Sequence, residues 1–265
     1  MSLSTVIAVF LSFVLFLGSI VLSTNNYMSF INVPGLIMVL GGTLAAAYMS
    51  YQTRYVNLAL KSIWHALKKP SSTREGLNTE IMRIIKWAYL QQKGGLPALE
   101  SELQKSKGMD PHLAFMLLAL TGGHDPKDLR PMLETSVEAG HERDMAPVDV
   151  LKMMAGASPA FGMIGTLVGL VIMLQGLGDD MAALGVGLAV ALLTTLYGVV
   201  LARLVYLPAA LKLQQKLEIE RFRNLLVAEG VMMLSEKRTP RYMQDRLNSF
   251  LDSSIHFDID KQLRG

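Results

Sequence analysis

Two apolar stretches, residues 155–177 and 181–202, contain no charged residue and are joined by a short hairpin holding Asp179 and Asp180. A bilayer hydrocarbon core about 30 Å thick is crossed by roughly 20 residues of helix, so each stretch is long enough to span it. Their small and polar residues are unusual. Gly162, Gly165 and Gly169 recur on the first stretch, and Gly187, Ala191, Thr195, Gly198 and Ala202 recur at three- and four-residue steps on the second. In lipid, small residues let helix backbones approach closely, and hydroxyls look for partners across the interface. These spans are built to face other protein rather than lipid alone.

The charges are segregated in the same sense. The chain is 51% hydrophobic and 18% charged; residues 1–53 hold no Asp, Glu, Lys or Arg, and residues 153–202 hold no Lys or Arg. The net charge of +3 therefore maps sidedness rather than a nucleic-acid surface, and no basic stripe interleaved with aromatics argues for such a partner. The absence of cysteine excludes disulfides, thiolate chemistry and Cys-based metal sites. The first apolar segment, Leu3–Ser23, lacks a basic leader and is too long for a signal-peptide core. A second apolar span follows at once, so the first reads as a retained transmembrane helix.

A neutral turn over 24–32 leads into the next span at 33–50, opened by Pro34 and containing Gly41 and Gly42. Arg54, Lys61, Lys68 and Lys69 follow before any acid, which places that side in the cytoplasm by the positive-inside rule. Lys212, Lys216, Arg221 and Arg223 place the tail there too. The expectation is an all-α, multi-pass protein of the inner membrane with four transmembrane helices and both termini cytoplasmic. Its parts are transmembrane helices 1 and 2 at 1–53, a cytoplasmic helical domain at 54–154, transmembrane helices 3 and 4 at 155–208, and cytoplasmic tail helices at 209–265. Arg203, near the inner end of the fourth helix, can snorkel to the interface.

Within the cytoplasmic domain, Ser72-x-x-Glu75 has the form of a capping box, and Gly94-Gly95 ends a helix after Lys93. Pro97, Pro111 after Asp110, and Pro126 after Asp125 read as first-turn prolines. Ile81, Ile84, Ile85 and Ala88 fall at helical spacing, and no run alternates as a strand would. The tail predicts a helix from about Gln214 through Leu234, a shorter one over 240–251, and a loose last dozen residues.

No soluble-enzyme signature appears: there is no phosphate-binding loop and no nucleophile elbow, and His141-Glu142 lacks the second histidine of a zinc helix. The five histidines are scattered, and the chain reads as a non-enzyme without a metal site. Thr166, Thr194 and Thr195 lie inside the third and fourth spans and admit two readings. Either they bond their own preceding carbonyls and help the helices pack, or their oxygens line an ion path. Ion movement across a membrane usually employs an intramembrane carboxylate, yet the four spans contain no Asp or Glu. Either the chain moves no ions, or another polypeptide packed on the small-residue face supplies the acid. Pro159 and Pro208, at the inner ends of these spans, read either as helix start and stop or as couplers between membrane and cytoplasmic parts.

SPAFGMIGTLVGL at 158–170, AVALLTTLYG at 189–198 followed by Pro208, and KGGLPALE at 93–100 resemble the A subunit of the bacterial flagellar motor stator, the MotA/PomA family. The resemblance covers nearly the whole chain. Relatives of ExbB and TolQ share only the last two spans, with three membrane helices and an outside N-terminus. The MotA/PomA resemblance implies a homo-oligomeric ring, a pentamer, around a dimer of MotB/PomB-type B subunits. Each B subunit would supply the missing membrane aspartate, and ion flow past it would drive rotation against the rotor protein FliG. On that resemblance Thr166, Thr194 and Thr195 lie beside the partner aspartate, Pro159 and Pro208 serve torque coupling, and Glu100 meets the rotor. The family's basic rotor-contact position falls at Gln92, with Lys93 beside it, and its common aspartate falls at Gly156. Threonine at all three sites resembles the sodium-driven branch, and hydroxyl oxygens suit Na⁺; H⁺ is the alternative coupling ion. Beyond a stator subunit, the open alternatives are an ExbB/TolQ-like proton-channel energiser and a self-contained secondary transporter.

Overall fold

The computed structural model describes residues 3–65, 74–105, 110–176, 181–252, 256 and 258, and every regular element among them is helical. The Ser72 end of the capping box, the Asp179–Asp180 hairpin and nearly all of the last dozen residues lie outside those residues. The helices are α1 (Leu3–Ser23), α2 (Val33–Ser50), α3 (Thr53–His65), α4 (Arg74–Lys105), α5 (Pro111–Thr121), α6 (Pro126–Gln175), α7 (Met181–Val200), α8 (Leu207–Ser235) and α9 (Pro240–Asn248). A 3₁₀ turn at Tyr27–Phe30 precedes α2, and a π-helical turn at Leu201–Tyr206 joins α7 to α8.

Local chemistry accounts for the boundaries. The Asn32 side chain accepts from Gly35 N–H at 2.8 Å and Pro34 occupies the first turn of α2, where a missing N–H leaves nothing unpaired. Asp110 caps α5 in the same way, accepting from His112 N–H at 3.0 Å, and Asp125 caps α6 by accepting from Lys127 N–H at 3.0 Å. Inside α4 the backbone breaks at Gly95, where φ is 69° and ψ −166°. Glycine adopts that geometry without steric cost, and Pro97 opens the second piece. The sequence signals at Gly95, Asp110 and Asp125 all mark real boundaries.

The chain forms two compact units, one of residues 1–69 and 145–215, the other of residues 70–144 and 216–265. Hydropathy changes at 53/54, 154/155 and 208/209, but α6 and α8 each run unbroken from one unit into the other. Two sequence readings need correction here. Pro159 lies deep inside α6 rather than at a helix start, and the tail helix begins at Leu207, continuous with the membrane span, rather than near Gln214.

Pro208 is carried by the π turn. Leu207 N–H donates to the Ala202 carbonyl, five residues back. A proline crowds the carbonyl four residues before it and lacks an N–H. A wide turn placed immediately ahead shifts that carbonyl aside, so the helix continues instead of ending.

Among the described residues, three helical segments are long and apolar enough to cross a membrane, Tyr27–Ser50, Pro126–Gln175 and Leu184–Ser235, and α1 contributes the apolar stretch Val14–Ser23. The second unit has a conventional core. Ile81, Ile84 and Trp87 of α4 meet Leu113, Met116 and Leu117 of α5, Leu129 and Leu133 of α6, Leu226 and Leu234 of α8, and Met243 and Leu247 of α9. The tail is thus part of this unit's core rather than an appendage.

Asp110 closes that core at α5. Burial pushes its carboxyl pKa up, but hydrogen bonds from Arg223 and from His112 N–H, with the guanidinium charge, outweigh burial and hold it below the ordinary value. A depressed folded pKa contributes stability above the unfolded value of about 3.9, and that contribution is lost as pH falls through the folded value. Asp110→Asn retains the cap and removes the charge, so it should cost about 1 kcal/mol at neutral pH, allowing for partial exposure of the pair. Thermal melts in detergent at pH 7 and in acid check this, the gap between variant and parent closing in acid.

Candidate functional site: a glycine seam and its threonines

α6 and α7 run antiparallel and touch backbone to backbone. A methyl group added at Gly162 would lie 2.9 Å from the Thr194 carbonyl oxygen, and one at Gly169 would lie 2.5 Å from Ala191 N. At Gly187 it would lie 2.6 Å from Met173 N, and at Gly198 2.6 Å from the Ser158 carbonyl oxygen. Gly165 abuts the Thr194 side chain more closely still. At Gly162, Gly169, Gly187 and Gly198 there is no room for a side chain between these helices, which is the close approach that the three- and four-residue spacing of small residues predicts. α2 joins the same cluster: a methyl on Gly35 would meet Thr194 Cγ2 at 2.8 Å, and Gly42 faces the Phe161 ring.

The three threonines have different environments. Thr194 is fully buried and donates its hydroxyl to the Val190 carbonyl at 2.9 Å and the Ala191 carbonyl at 3.1 Å. Wedged among Gly35, Gly162 and Gly165, it fills the junction of three helices. Thr166 is half-buried and donates to the Met163 carbonyl at 2.6 Å, leaving its lone pairs on an accessible oxygen. Thr195 differs from both, since its hydroxyl oxygen is buried and has no hydrogen-bond partner. A hydroxyl in that state costs about 1–3 kcal/mol, so of the three threonines Thr195 is the one whose own helix leaves its oxygen unsatisfied.

Sequence reasoning overlooked two neighbours. Ser158 is fully buried with its hydroxyl unpartnered, one residue before Pro159 and against Gly198. Tyr197 accepts from Asn32 N–H at 2.8 Å and donates to the Phe30 carbonyl at 2.6 Å, so it fixes the entry to α2 on α7. Both lie inside the quoted motifs, but partner identity is a tertiary fact that spacing does not reveal. Pro159 sits in this seam too, its Cα 3.1 Å from a methyl built on Gly198.

Gln92, Lys93 and Glu100 belong to the other unit, exposed on either side of the Gly95 break in α4. The Gln91 amide donates to the Leu234 carbonyl at 3.1 Å, which ties this end of α4 to the end of α8. Among the described residues, no group of His, Asp or Glu has the makings of a metal site.

Fold and site together define a class: a helical membrane protein whose central helices close on glycines and whose spans hold hydroxyls without a carboxylate. Residues 99–223 match the MotA/TolQ/ExbB proton channel family. Motility protein A of Aquifex aeolicus is 34% identical over 92% of this chain and 94% of its own length. Chemotaxis protein PomA of Vibrio alginolyticus is 32% identical over 95% and 96% respectively. Among solved structures, the Campylobacter jejuni MotAB complex matches with a TM-score of 0.83 at 22% identity, covering 96% of this chain and 97% of that one. The Bacillus subtilis MotAB stator complex matches at 0.80 and 23% identity, over 100% and 98%. The chain belongs to the MotA/PomA family of flagellar motor stator subunits.

Proposed function

We propose that this chain is the ring-forming A subunit of a flagellar stator, a non-enzymatic component that turns ion flow into torque. The observation that carries the reading is the buried, unpartnered Thr195 oxygen in a membrane core that has no acid of its own. A MotB/PomB-type B subunit supplies the aspartate, with five A subunits around a B dimer. Four spans leave both termini in the cytoplasm. The coupling ion, Na⁺ in preference to H⁺, is the substrate: it sheds water, passes the partner carboxylate and exchanges ligands with the oxygens of Thr195 and Thr166. Hard oxygen donors suit such a small cation. Thr194 acts by position, holding the helices that carry the other two. Displacement at the Pro159 and Pro208 segments travels along α6 and α8, which continue beyond the membrane unit, toward a rotor contact at Gln92, Lys93 and Glu100 with FliG.

The test is swimming in a strain stripped of its own stators. This chain with a B subunit should restore motility that rises with sodium concentration, and this chain alone should restore none. Ion flux through purified A subunit in liposomes without a partner would overturn the reading in favour of a self-contained transporter. At the rotor contact, exposed charge pairs are worth about 0.2–1 kcal/mol each. Lys93→Glu or Glu100→Lys should therefore lower torque partially while rings still form, as bead-rotation assays and size-exclusion profiles would report.

A further inference from the structure

The end of α2 carries a feature that ion conduction does not use. At Tyr51 the backbone turns extended (φ −132°, ψ 156°) and α3 starts two residues later. The Tyr48 hydroxyl donates to Asn57 Oδ1 at 2.9 Å, folding α3 back onto the end of the apolar span it follows. Val56 and Ala59 are fully buried, with Leu60 and Ile63 half-buried beside them. These positions are spaced at i, i+3, i+4 and i+7, so they form one inward stripe.

The opposite face of α3 is built differently. Arg54, Leu58 and Lys61 lie along it one turn apart, with Asn57 and Trp64 on the adjoining row, and all five are exposed. Leu58 is 42% exposed and Trp64 76%. The Arg54 guanidinium lies over the Tyr55 ring at 6.0 Å. No acidic residue precedes Glu75 in the chain, so this face is cationic with apolar edges.

We propose that the outward face of α3 binds anionic phospholipid headgroups, with Arg54 and Lys61 on the phosphates and Trp64 and Leu58 inserted at the acyl boundary. Position argues for lipid, because the face begins at Arg54, four residues after a membrane-long apolar helix ends at Ser50. Composition agrees, since Tyr48, Tyr51, Tyr55 and Trp64 gather where interfacial aromatics gather. Charge argues against a second copy of the same face, because two such surfaces would repel. Basic residues at an anionic membrane surface each add about a fivefold preference, and salt weakens it. The inference goes beyond the motor reading and needs only that α2 spans the membrane.

Trp64 is its own probe. The other tryptophan, Trp87, is 3% exposed in the core of the second unit. The full chain with its B subunit is placed in nanodiscs containing equal fractions of brominated phosphatidylglycerol or brominated phosphatidylcholine, and tryptophan quenching is measured. The anionic brominated lipid should quench at least about twofold more strongly. Trp64→Phe should remove the part of the quenching that this chain contributes, read as the difference from the parent complex with the same B subunit. Arg54→Gln with Lys61→Gln should erase the preference while Trp64 remains quenched, as should raised salt. Equal quenching by both lipids in the parent would overturn the proposal, leaving depth without headgroup recognition. Absence of quenching would overturn it as well, because protein would then cover Trp64.

Discussion

Gly169→Ala should abolish stator function by preventing α6 and α7 from closing. The added methyl would sit 2.5 Å from Ala191 N, 2.6 Å from the Gly187 carbonyl oxygen and 2.8 Å from Ala191 Cβ. Two of those atoms are backbone, so no rotamer change relieves the contact and the helices must separate along the whole seam. Overpacking typically costs about 1–3 kcal/mol, and a backbone clash in a two-sided glycine interface should reach the top of that range or pass it. Helix propensity works the other way: alanine gains about 1 kcal/mol over glycine in a helix interior. Gly185 and Gly156 provide the control, since nothing lies within 4 Å of a methyl at either site. Gly185→Ala and Gly156→Ala should hold or raise the melting temperature. Gly169→Ala should lower it sharply and yield little monodisperse protein. If all three variants behave alike in detergent melts and swimming assays, the seam does not hold the membrane unit together.

Thr195→Val should separate stability from conduction. Valine keeps the β-branched shape and removes an oxygen that has no protein partner. Relieving a buried unpaired hydroxyl gives back up to about 1–3 kcal/mol, so the variant should melt at or above the parent's temperature. Swimming should nevertheless fall by about tenfold or more at every sodium concentration, because the ion contact we propose for that oxygen, a charge-assisted one, would be worth about 1.5–3 kcal/mol. Thr194→Val should show the opposite balance. Its hydroxyl is held by its own helix in a fully buried site, so the variant should lose stability modestly and keep its dependence on sodium. Speed against sodium concentration for the two variants side by side decides the matter. Unchanged swimming in Thr195→Val would reduce that hydroxyl to packing.

Much of this was written in the chain. Helical class, apolar spans, the missing membrane acid, the break at Gly95 and the caps at Asp110 and Asp125 follow from local rules. Hydropathy, missing side chains and short-range hydrogen bonds act within a few residues and therefore leave a pattern in sequence. The glycine spacing also announced that helices would approach closely.

Only the tertiary structure decided which threonine is satisfied, because Thr194 and Thr195 are neighbours in the chain that face different surroundings. It also decided that α6 passes through Pro159 and that a π turn carries the fourth span past Pro208. Proline's local preference is to begin or end a helix; the close contact with Gly198 holds α6 through Pro159, and the wide turn carries the chain past Pro208. Burial of Ser158 and the bridge from Tyr197 to the start of α2 join residues far apart in the chain. Such pairings depend on how helices are brought together, and that information lies in the sum of many contacts rather than in any one stretch of residues.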